Sequence, residues 1–290
     1  MFEVTKETKS YAKGVLVDLT KCIGCGSCVV ACKMYNNNEW IEDRAPTSGE
    51  KAELADKNWT VVQHCRISKN SGENLNVGGV SPPVRTDGSE EWRYVKRQCL
   101  HCKDPACVSS CFATAFRKND ETGAIVYHPN LCVGCRYCML ACPFSVPKFE
   151  WNKPIPMLAK CTMCHNRIEK GDVPACVSVC PTSVMKFGNQ EQLLKEAKEI
   201  IANDSRYVRH IYGEEEAGGT AWIYISDKPF DALGFKKNVP KRSIPSYTKN
   251  YMHATPIVGA IWLVVLSCLY FITKRRSGKR EGQKPSEPVA

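Results

Sequence analysis

The longest run of apolar positions in the chain lies near its carboxyl end. Ala254–Thr273 is twenty residues without a charged side chain, enough at about 1.5 Å per residue to cross a hydrocarbon core of about 30 Å. Tyr251 and His253 precede the run, and Tyr270 lies near its end. The pattern predicts a transmembrane helix over 254–273, with Pro256 in its first turn, where a missing amide costs little.

Shorter periodic segments fill the rest of the chain. Hydrophobic positions recur at helical spacing over Gln190–Ala202, which predicts an amphipathic helix packed on a core. β-Branched and aromatic residues predict strands at Trp59–Ile67, Glu91–Val95, Gly123–Tyr127 and Thr220–Ile225. Asp227–Ser246, which is rich in Pro and Lys, is expected to be an extended linker. The fold class is therefore predicted as α+β, with short elements and one C-terminal transmembrane helix.

Composition adds a basic excess and many cysteines. Forty Lys and Arg against 30 Asp and Glu give a formal net charge of +10, and there are 18 cysteines. Such a charge can indicate nucleic-acid binding, but no segment resembles a nucleic-acid-binding motif. The sequence therefore predicts no nucleic-acid partner.

Sixteen of the 18 cysteines fall into four groups of four. In chain order they are Cys22, Cys25, Cys28 and Cys32; Cys99, Cys102, Cys107 and Cys111; Cys132, Cys135, Cys138 and Cys142; and Cys161, Cys164, Cys176 and Cys180. Groups one and three have the C-x2-C-x2-C-x3-C spacing of bacterial ferredoxins, and groups two and four each lengthen one gap. These sixteen cysteines are predicted to ligate iron in four 4Fe-4S clusters.

The order of the groups predicts two interleaved ferredoxin-like modules. In two-cluster ferredoxins, the last cysteine of each run ligates the partner cluster. Groups two and three flank the predicted strand Gly123–Tyr127 and form an inner module. Groups one and four then pair with each other, so that an outer module encloses the inner one.

Two other kinds of site compete for these cysteines. Zinc ribbons also use C-x2-C pairs, but they do not require a trailing cysteine three residues after the third. A disulfide framework is typical of small secreted domains. Neither explains four repeats as well as iron-sulfur ligation does.

The surroundings of the cysteines suit clusters. Gly24, Gly26, Ser27 and Gly134 are small enough for backbone amides to approach cluster sulfides. Each oxidised cluster with its thiolates carries about −2, so four of them bring the charge to about +2. His101 and His165, beside cluster cysteines, are either donors to sulfur or exposed polar residues.

A segment without predicted ligands, 34–98, separates groups one and two. It is expected to be a docking region, because Ser68–Glu90 is rich in Gly, Pro, Asn and Ser and predicts an exposed loop. Cys65 lies in its first predicted strand and is interpreted as a small buried hydrophobic residue.

Several segments resemble the four-cluster iron-sulfur beta subunits of molybdopterin oxidoreductases and membrane hydrogenases. They are Lys96–Cys107, Gly134–Pro147, Lys160–Cys164, Pro174–Pro181 and Gly218–Ile225. Subunits of periplasm-facing Ni-Fe hydrogenases and respiratory formate dehydrogenases are most similar. Groups one and two lack the proline after their last cysteine, which leaves the ligands intact.

The resemblance implies a ligand set for each cluster. The sets are Cys22, Cys25, Cys28 with Cys180; Cys161, Cys164, Cys176 with Cys32; Cys99, Cys102, Cys107 with Cys142; and Cys132, Cys135, Cys138 with Cys111. The predicted organisation is an outer module over 1–33 and 145–235, the docking region over 34–98, an inner module over 99–144, a linker over 236–253, the transmembrane helix over 254–273 and a basic tail over 274–290.

The resemblance also implies a function. The chain would relay electrons between a catalytic oxidoreductase subunit and an integral membrane cytochrome b or quinone-reactive subunit, without catalysing a reaction itself. One alternative is the same role in a quinol-driven reductase of polysulfide, thiosulfate, tetrathionate or nitrite. Another is a redox-sensing iron-sulfur protein.

Charges beside the apolar run predict its orientation. Three basic residues precede the run, and six follow it: Lys274, Arg275, Arg276, Lys279, Arg280 and Lys284. The tail is therefore expected in the cytoplasm and the cluster domain in the periplasm, with the reverse orientation as the rival. The amino terminus carries neither a twin-arginine motif nor an apolar signal region, so export would require a signal-bearing partner.

Overall fold

The computed structural model describes residues 13–40, 52–69, 72–75, 88–154 and 156–281, with the backbone alone for 277–281. Much of the predicted loop 68–90 and the predicted basic residue Lys284 lie outside these residues. The chain divides into two units, Met1–Ile244 and Pro245–Ala290.

The first unit consists of short helices and strands, and the second of one long helix. The helices are α1 (Ser27–Asn36), α2 (Ala106–Ser109), α3 (Tyr137–Ala141), α4 (His165–Glu169), α5 (Ala175–Ser178), α6 (Gln190–Asn203) and α7 (Ile244–Glu281). The strands are β1 (Gly14–Asp18), β2 (Val61–Ser68), β3 (Glu90–Arg97), β4 (Phe116–Lys118), β5 (Ile125–Tyr127), β6 (Lys148–Phe149), β7 (Leu158–Ala159), β8 (Met185–Gly188) and β9 (Trp222–Ile225).

A three-stranded sheet joins the two ends of the first unit. β1 is its central strand, antiparallel to β8 and parallel to β9. Leu193 and Ala197 of α6 pack against one face, where Ile223 is buried. Asn189 caps α6 by accepting hydrogen bonds from the first-turn amides. The predicted amphipathic helix and the predicted strand near 220–225 are both confirmed.

The β2–β3 hairpin packs into the core. The strands pair antiparallel in register from Val61 opposite Arg97 to Ser68 opposite Glu90. Cys65 is fully buried in the main hydrophobic core, which confirms its interpretation as a small buried residue. β2 and β3, which belong to the 34–98 segment, are therefore part of the core, because every apolar side chain on one face of the hairpin is buried.

Two further hairpins complete the unit around cysteine groups two and three. β4 pairs with β5, and β6 pairs with β7, both antiparallel. The predicted strand at 123–127 is confirmed in its last three residues.

The chain after β9 differs from the sequence prediction. Phe230 and Leu233 are buried in the main core, and Phe235 packs against Tyr212 with ring centroids 4.6 Å apart. The segment from Asp227 was expected to be an extended linker, because it is rich in Pro and Lys. Three apolar side chains that alternate with those residues anchor it instead.

The helix of the second unit is longer than the predicted span. α7 begins at Ile244, inside the segment predicted as a linker over 236–253. Pro256 therefore lies inside the helix rather than in its first turn. Within the described residues, this is the one helix long and apolar enough to cross a membrane.

Candidate metal centres

All sixteen grouped cysteines lie in described residues and are free thiols, and so are Cys65 and Cys268. The third cysteine of each group occupies the same local position, the second residue of a short or medium helix. These residues are Cys28 in α1, Cys107 in α2, Cys138 in α3 and Cys176 in α5. The four groups are thus copies of one loop-to-helix motif.

The residue before the second cysteine has a left-handed backbone in every group. The φ angles are 73° at Gly24, 49° at His101, 71° at Gly134 and 57° at Met163. Glycine adopts this conformation without strain, but His and Met do so rarely. The residue types therefore favour this conformation in groups one and three, whereas in groups two and four it is adopted against residue preference.

A first cavity collects cysteines from groups one and four. Its lining includes Cys22, Cys25, Cys28 and Cys180. Val62 of β2 and Met185 of β8 also line the cavity, which keeps it largely apolar. Three thiols from one loop and one from a distant loop therefore face a common space.

A second cavity has the reciprocal composition. Its lining includes Cys161, Cys164, Cys176 and Cys32. Trp222 of β9 also lines it, and the buried indole Nε1 has no hydrogen-bond partner among the described residues. A buried donor of this kind usually has an acceptor, and a sulfur-rich cofactor in the cavity would supply one.

Groups two and three are close neighbours as well. Burial raises the pKa of Cys102 well above its usual value, and the nearby thiols of Cys99, Cys142 and Cys107 act in the same direction. The last cysteine of group three is therefore within electrostatic reach of group two.

The converse relation holds for group three. Burial raises the pKa of Cys138 to about 12, and the thiols of Cys132, Cys111 and Cys135 contribute. Here the last cysteine of group two is among the neighbours of group three.

Contacts between buried cysteines link the pairs of groups. Cys161 shares a buried apolar cluster with Cys99, and Cys142 packs against it. Cys107 and Cys138 share another buried cluster. Cys28 and Cys176 share the main core cluster, so a chain of adjacent cysteine sites runs from the first cavity to group three.

Burial makes these thiols poor thiolates without a bound cation. It raises the pKa of Cys28 to about 11 and that of Cys32 to about 12, against the opposing charge of Lys96. Iron ligation requires the thiolate. Bound iron would supply the positive charge that the buried sulfurs lack.

The spread of the donors suits a multi-iron cofactor better than a single ion. Within the described part of the chain, no three His, Cys, Asp or Glu side chains lie close enough together to hold one metal ion. Zinc gathers its thiolates at about 2.3 Å, whereas a cubane takes each thiolate on a different iron. The residues therefore fit 4Fe-4S clusters.

His101 is fully buried, which contradicts its interpretation as an exposed polar residue. Its Nδ1 accepts a hydrogen bond from the Ile125 amide at 2.9 Å, so the neutral ring carries its proton on Nε2. Burial and the nearby cations hold the pKa of His101 well below its usual value. Nε2 is buried and has no partner among the described residues, so the ring keeps an unused donor next to the predicted ligand Cys102 in the sequence. His165 is only partly buried.

Sequence reasoning did not identify Trp222 or Lys96 as parts of the site. Both lie in segments that carry the family resemblance, but a tryptophan in a strand and a lysine in a hairpin give no local sign of a cluster contact. Their positions depend on tertiary packing of β3 and β9.

Family comparisons match the cysteine-bearing segments. A 4Fe-4S dicluster domain matches residues 90–190, and a 4Fe-4S binding domain matches residues 13–34. Together the two matches include all four groups.

Curated relatives cover most of the chain. A protein of Nitratidesulfovibrio vulgaris is 41% identical over 95% of this chain and 70% of its own length. The hydrogenase-2 operon protein HybA of Escherichia coli O157:H7 is 33% identical over 91% of this chain and 84% of its own length. The iron-sulfur subunit of the nitrate-inducible formate dehydrogenase of Escherichia coli K12 is 31% identical, covering 88% of this chain and 82% of the subunit.

Proposed function

The chain belongs to the family of 4Fe-4S electron-transfer subunits of respiratory oxidoreductases, and from that premise we propose which cysteines hold each cluster and in what order electrons pass. Its relatives include HybA and formate dehydrogenase iron-sulfur subunits. It is an iron-sulfur relay in complexes of the hydrogenase and formate dehydrogenase kind, and it binds 4Fe-4S clusters.

The ligand sets cross between groups. We assign Cys22, Cys25, Cys28 and Cys180 to one cluster, and Cys161, Cys164, Cys176 and Cys32 to a second. The assignment rests above all on the first cavity, whose lining combines three cysteines of group one with the last of group four. The reciprocal lining of the second cavity supports it.

The remaining sets follow the same rule. One holds Cys99, Cys102, Cys107 and Cys142, and the other holds Cys132, Cys135, Cys138 and Cys111. The electrostatic neighbours of Cys102 and Cys138 support this division. Contacts of α1 with α5 and of α2 with α3 support two interleaved modules.

Electrons would pass through the four sites in a line. The order is the site of Cys22, the site of Cys161, the site of Cys99 and the site of Cys132. The buried clusters that successive sites share support it. Each bound cluster supplies a one-electron redox centre, and the chain's own residues hold neighbouring centres close and exclude water from the path.

Partners and location complete the proposal. The chain itself is non-catalytic and works between a catalytic oxidoreductase subunit and a cytochrome b or quinone-reactive membrane subunit. α7 spans the membrane, with the cluster domain in the periplasm and the basic end in the cytoplasm. The length and apolar surface of α7 and the basic residues from Lys274 onward support this arrangement.

Anaerobic purification of the native membrane complex through a tag on this chain tests the function. We expect about sixteen irons on this subunit, a catalytic chain and a membrane subunit in the same complex, and rapid reduction of the clusters by the natural substrate of the catalytic chain. Isolation of the chain alone with far less iron, or with zinc, would contradict the proposal.

A further inference from the structure

One lysine side chain lies between two of the cysteine cavities. Lys96 is on β3, only 2% exposed, and lines both the cavity of Cys22 and the cavity of Cys161. Lys96 is the residue that the linings of the two cavities share. A lysine is seldom buried to this degree without a specific partner.

Hydrogen bonds fix the position of its ammonium group. Lys96 Nζ donates to Gln98 Oε1 at 2.8 Å, and Gln98 Nε2 donates to the Tyr224 hydroxyl at 2.6 Å. The Tyr224 hydroxyl in turn donates to the Lys96 carbonyl at 3.3 Å. Nζ also lies 4.5 Å from the ring centroid of Trp222. These contacts hold the Lys96 ammonium group in place between the two cavities.

Within the part of the chain that the structure describes, no carboxylate forms an ion pair with Lys96. The largest electrostatic interactions of Lys96 are with the thiols of Cys176, Cys28 and Cys161 and with the Tyr224 hydroxyl.

Arg66 provides the contrast on the same hairpin. It is 1% exposed and pairs with Glu90 at 3.0 Å, as a buried cation normally does. Gln98, the direct partner of Lys96, is neutral. The negative charge that Lys96 requires must therefore come from the thiolate-bound groups on its two sides.

We propose that Lys96 is the shared counter-charge of the two cluster sites and raises the reduction potentials of both. The inference rests on the ligand sets proposed above. Reduction adds one negative charge to a site, so a fixed cation beside it favours the reduced state. Because Lys96 borders two sites, a single substitution should shift two potentials together and leave the other two nearly unchanged.

The test compares three variants in the native complex. Lys96→Met removes the charge, Lys96→Gln removes the charge but keeps a donor for Gln98, and Lys96→Arg keeps the charge. Arg66→Met is the matched control for loss of a buried cation from the same hairpin that lines neither cavity. Iron content and potentiometric titration followed by electron paramagnetic resonance give loading and the four potentials.

We expect Lys96→Met and Lys96→Gln to disfavour reduction of the two adjacent clusters by at least about tenfold, which is about 59 mV for a one-electron couple. Lys96→Arg should stay close to wild type, and Arg66→Met should leave these two potentials in place. If the two neutral variants fail to load the adjacent clusters while Lys96→Arg loads them, the charge is required for assembly and the proposal holds.

Two results would overturn it. One is full loading of the neutral variants with unchanged potentials. The other is failure of all three variants to load, since this would make shape and not charge the requirement. A wild-type complex with fewer than four clusters would instead refute the proposed function, so the two failures are distinguishable.

Discussion

The ring of Tyr94 covers the backbone of Gly24 so closely that a Cβ at Gly24 would lie 2.5 Å from Tyr94 Cδ1. Gly24 also has a φ of 73°, which an L side chain rarely adopts. A Gly24→Ala substitution therefore combines backbone strain of about 1–2 kcal/mol with an overlap that the hairpin must relieve. We expect loss of the cluster nearest Cys22, measured as a drop in iron content of about four atoms.

Gly26→Ala is the matched control for this prediction. Gly26 has nearly the same φ of 74°, but a Cβ there would meet no atom within 4 Å. It should therefore carry the backbone strain alone and retain most of its iron. Equal loss of iron in both variants would show that contact with Tyr94 does not matter.

The crossed ligand sets predict where a cysteine substitution acts. Cys180→Ser removes a thiol from the wall of the first cavity, although the other three cysteines of its group line the second. We expect the paramagnetic signal of the cluster held by Cys22, Cys25 and Cys28 to be lost or altered. Cys32→Ser should affect the cluster of group four in the same way.

Cys65→Ser controls for the general effect of removing a buried thiol. Cys65 is fully buried, its Sγ donates to the Leu233 carbonyl at 3.6 Å, and it is not among the residues that line either cavity. This variant should keep all four signals. If Cys180→Ser instead perturbs only the cluster of Cys161, the crossed assignment is wrong.

The buried Arg66–Glu90 pair predicts a large effect on stability. Both side chains are nearly inaccessible, at 1% and 7% exposure. Glu90→Gln leaves the guanidinium buried without its counter-charge, at a cost of about 3–5 kcal/mol. We expect the variant to lose its visible cluster absorbance at a clearly lower guanidinium concentration than wild type.

Two controls separate this effect from ordinary charge loss. Glu150→Gln disrupts the more exposed pair with Lys153 and should change the stability little, because solvent screens that pair. Replacing both buried partners, Arg66→Met with Glu90→Leu, should recover most of the stability because no isolated charge remains. A Glu90→Gln variant as stable as Glu150→Gln would contradict the prediction.

The sequence predicted features that depend on nearby residues. Cysteine spacing identified the four loops, helical periodicity identified α6, and β-branched residues identified β2 and β3. Each of these predictions depends on residues that are close together in the sequence. The Phe230–Phe235 segment was wrongly expected to be a linker, because its local composition is that of a linker and its packing comes from distant parts of the core.

Relations between distant residues could not be predicted in the same way. Lys96 would be placed at a surface by residue type alone, and only the packing of β3 between the two cavities buries it. The positive φ angles of His101 and Met163 likewise contradict residue preference. The C-x2-C geometry imposes the turn there whatever residue precedes the second cysteine.

The basic residues beyond the apolar run predict the orientation of α7. Lys274, Arg275 and Arg276 follow the run directly, and positive charges flanking a span are retained on the cytoplasmic side. Protease added to right-side-out spheroplasts should therefore digest the cluster domain before lysis, while an epitope fused after Ala290 stays protected.

Substitution of the basic residues on either side of the apolar run tests the orientation more directly. Replacing the three residues after the run with Asn removes part of the retention signal, so we expect a fraction of chains to expose the fused epitope to protease before lysis. Substitution of Lys241, Arg242 and Lys249 with Asn should strengthen the original orientation. In the wild-type chain, the cluster domain and the epitope could both resist protease before lysis and both be digested after it. This result would place both ends in the cytoplasm. That result would mean that α7 does not cross the membrane, since a single span must separate its two ends.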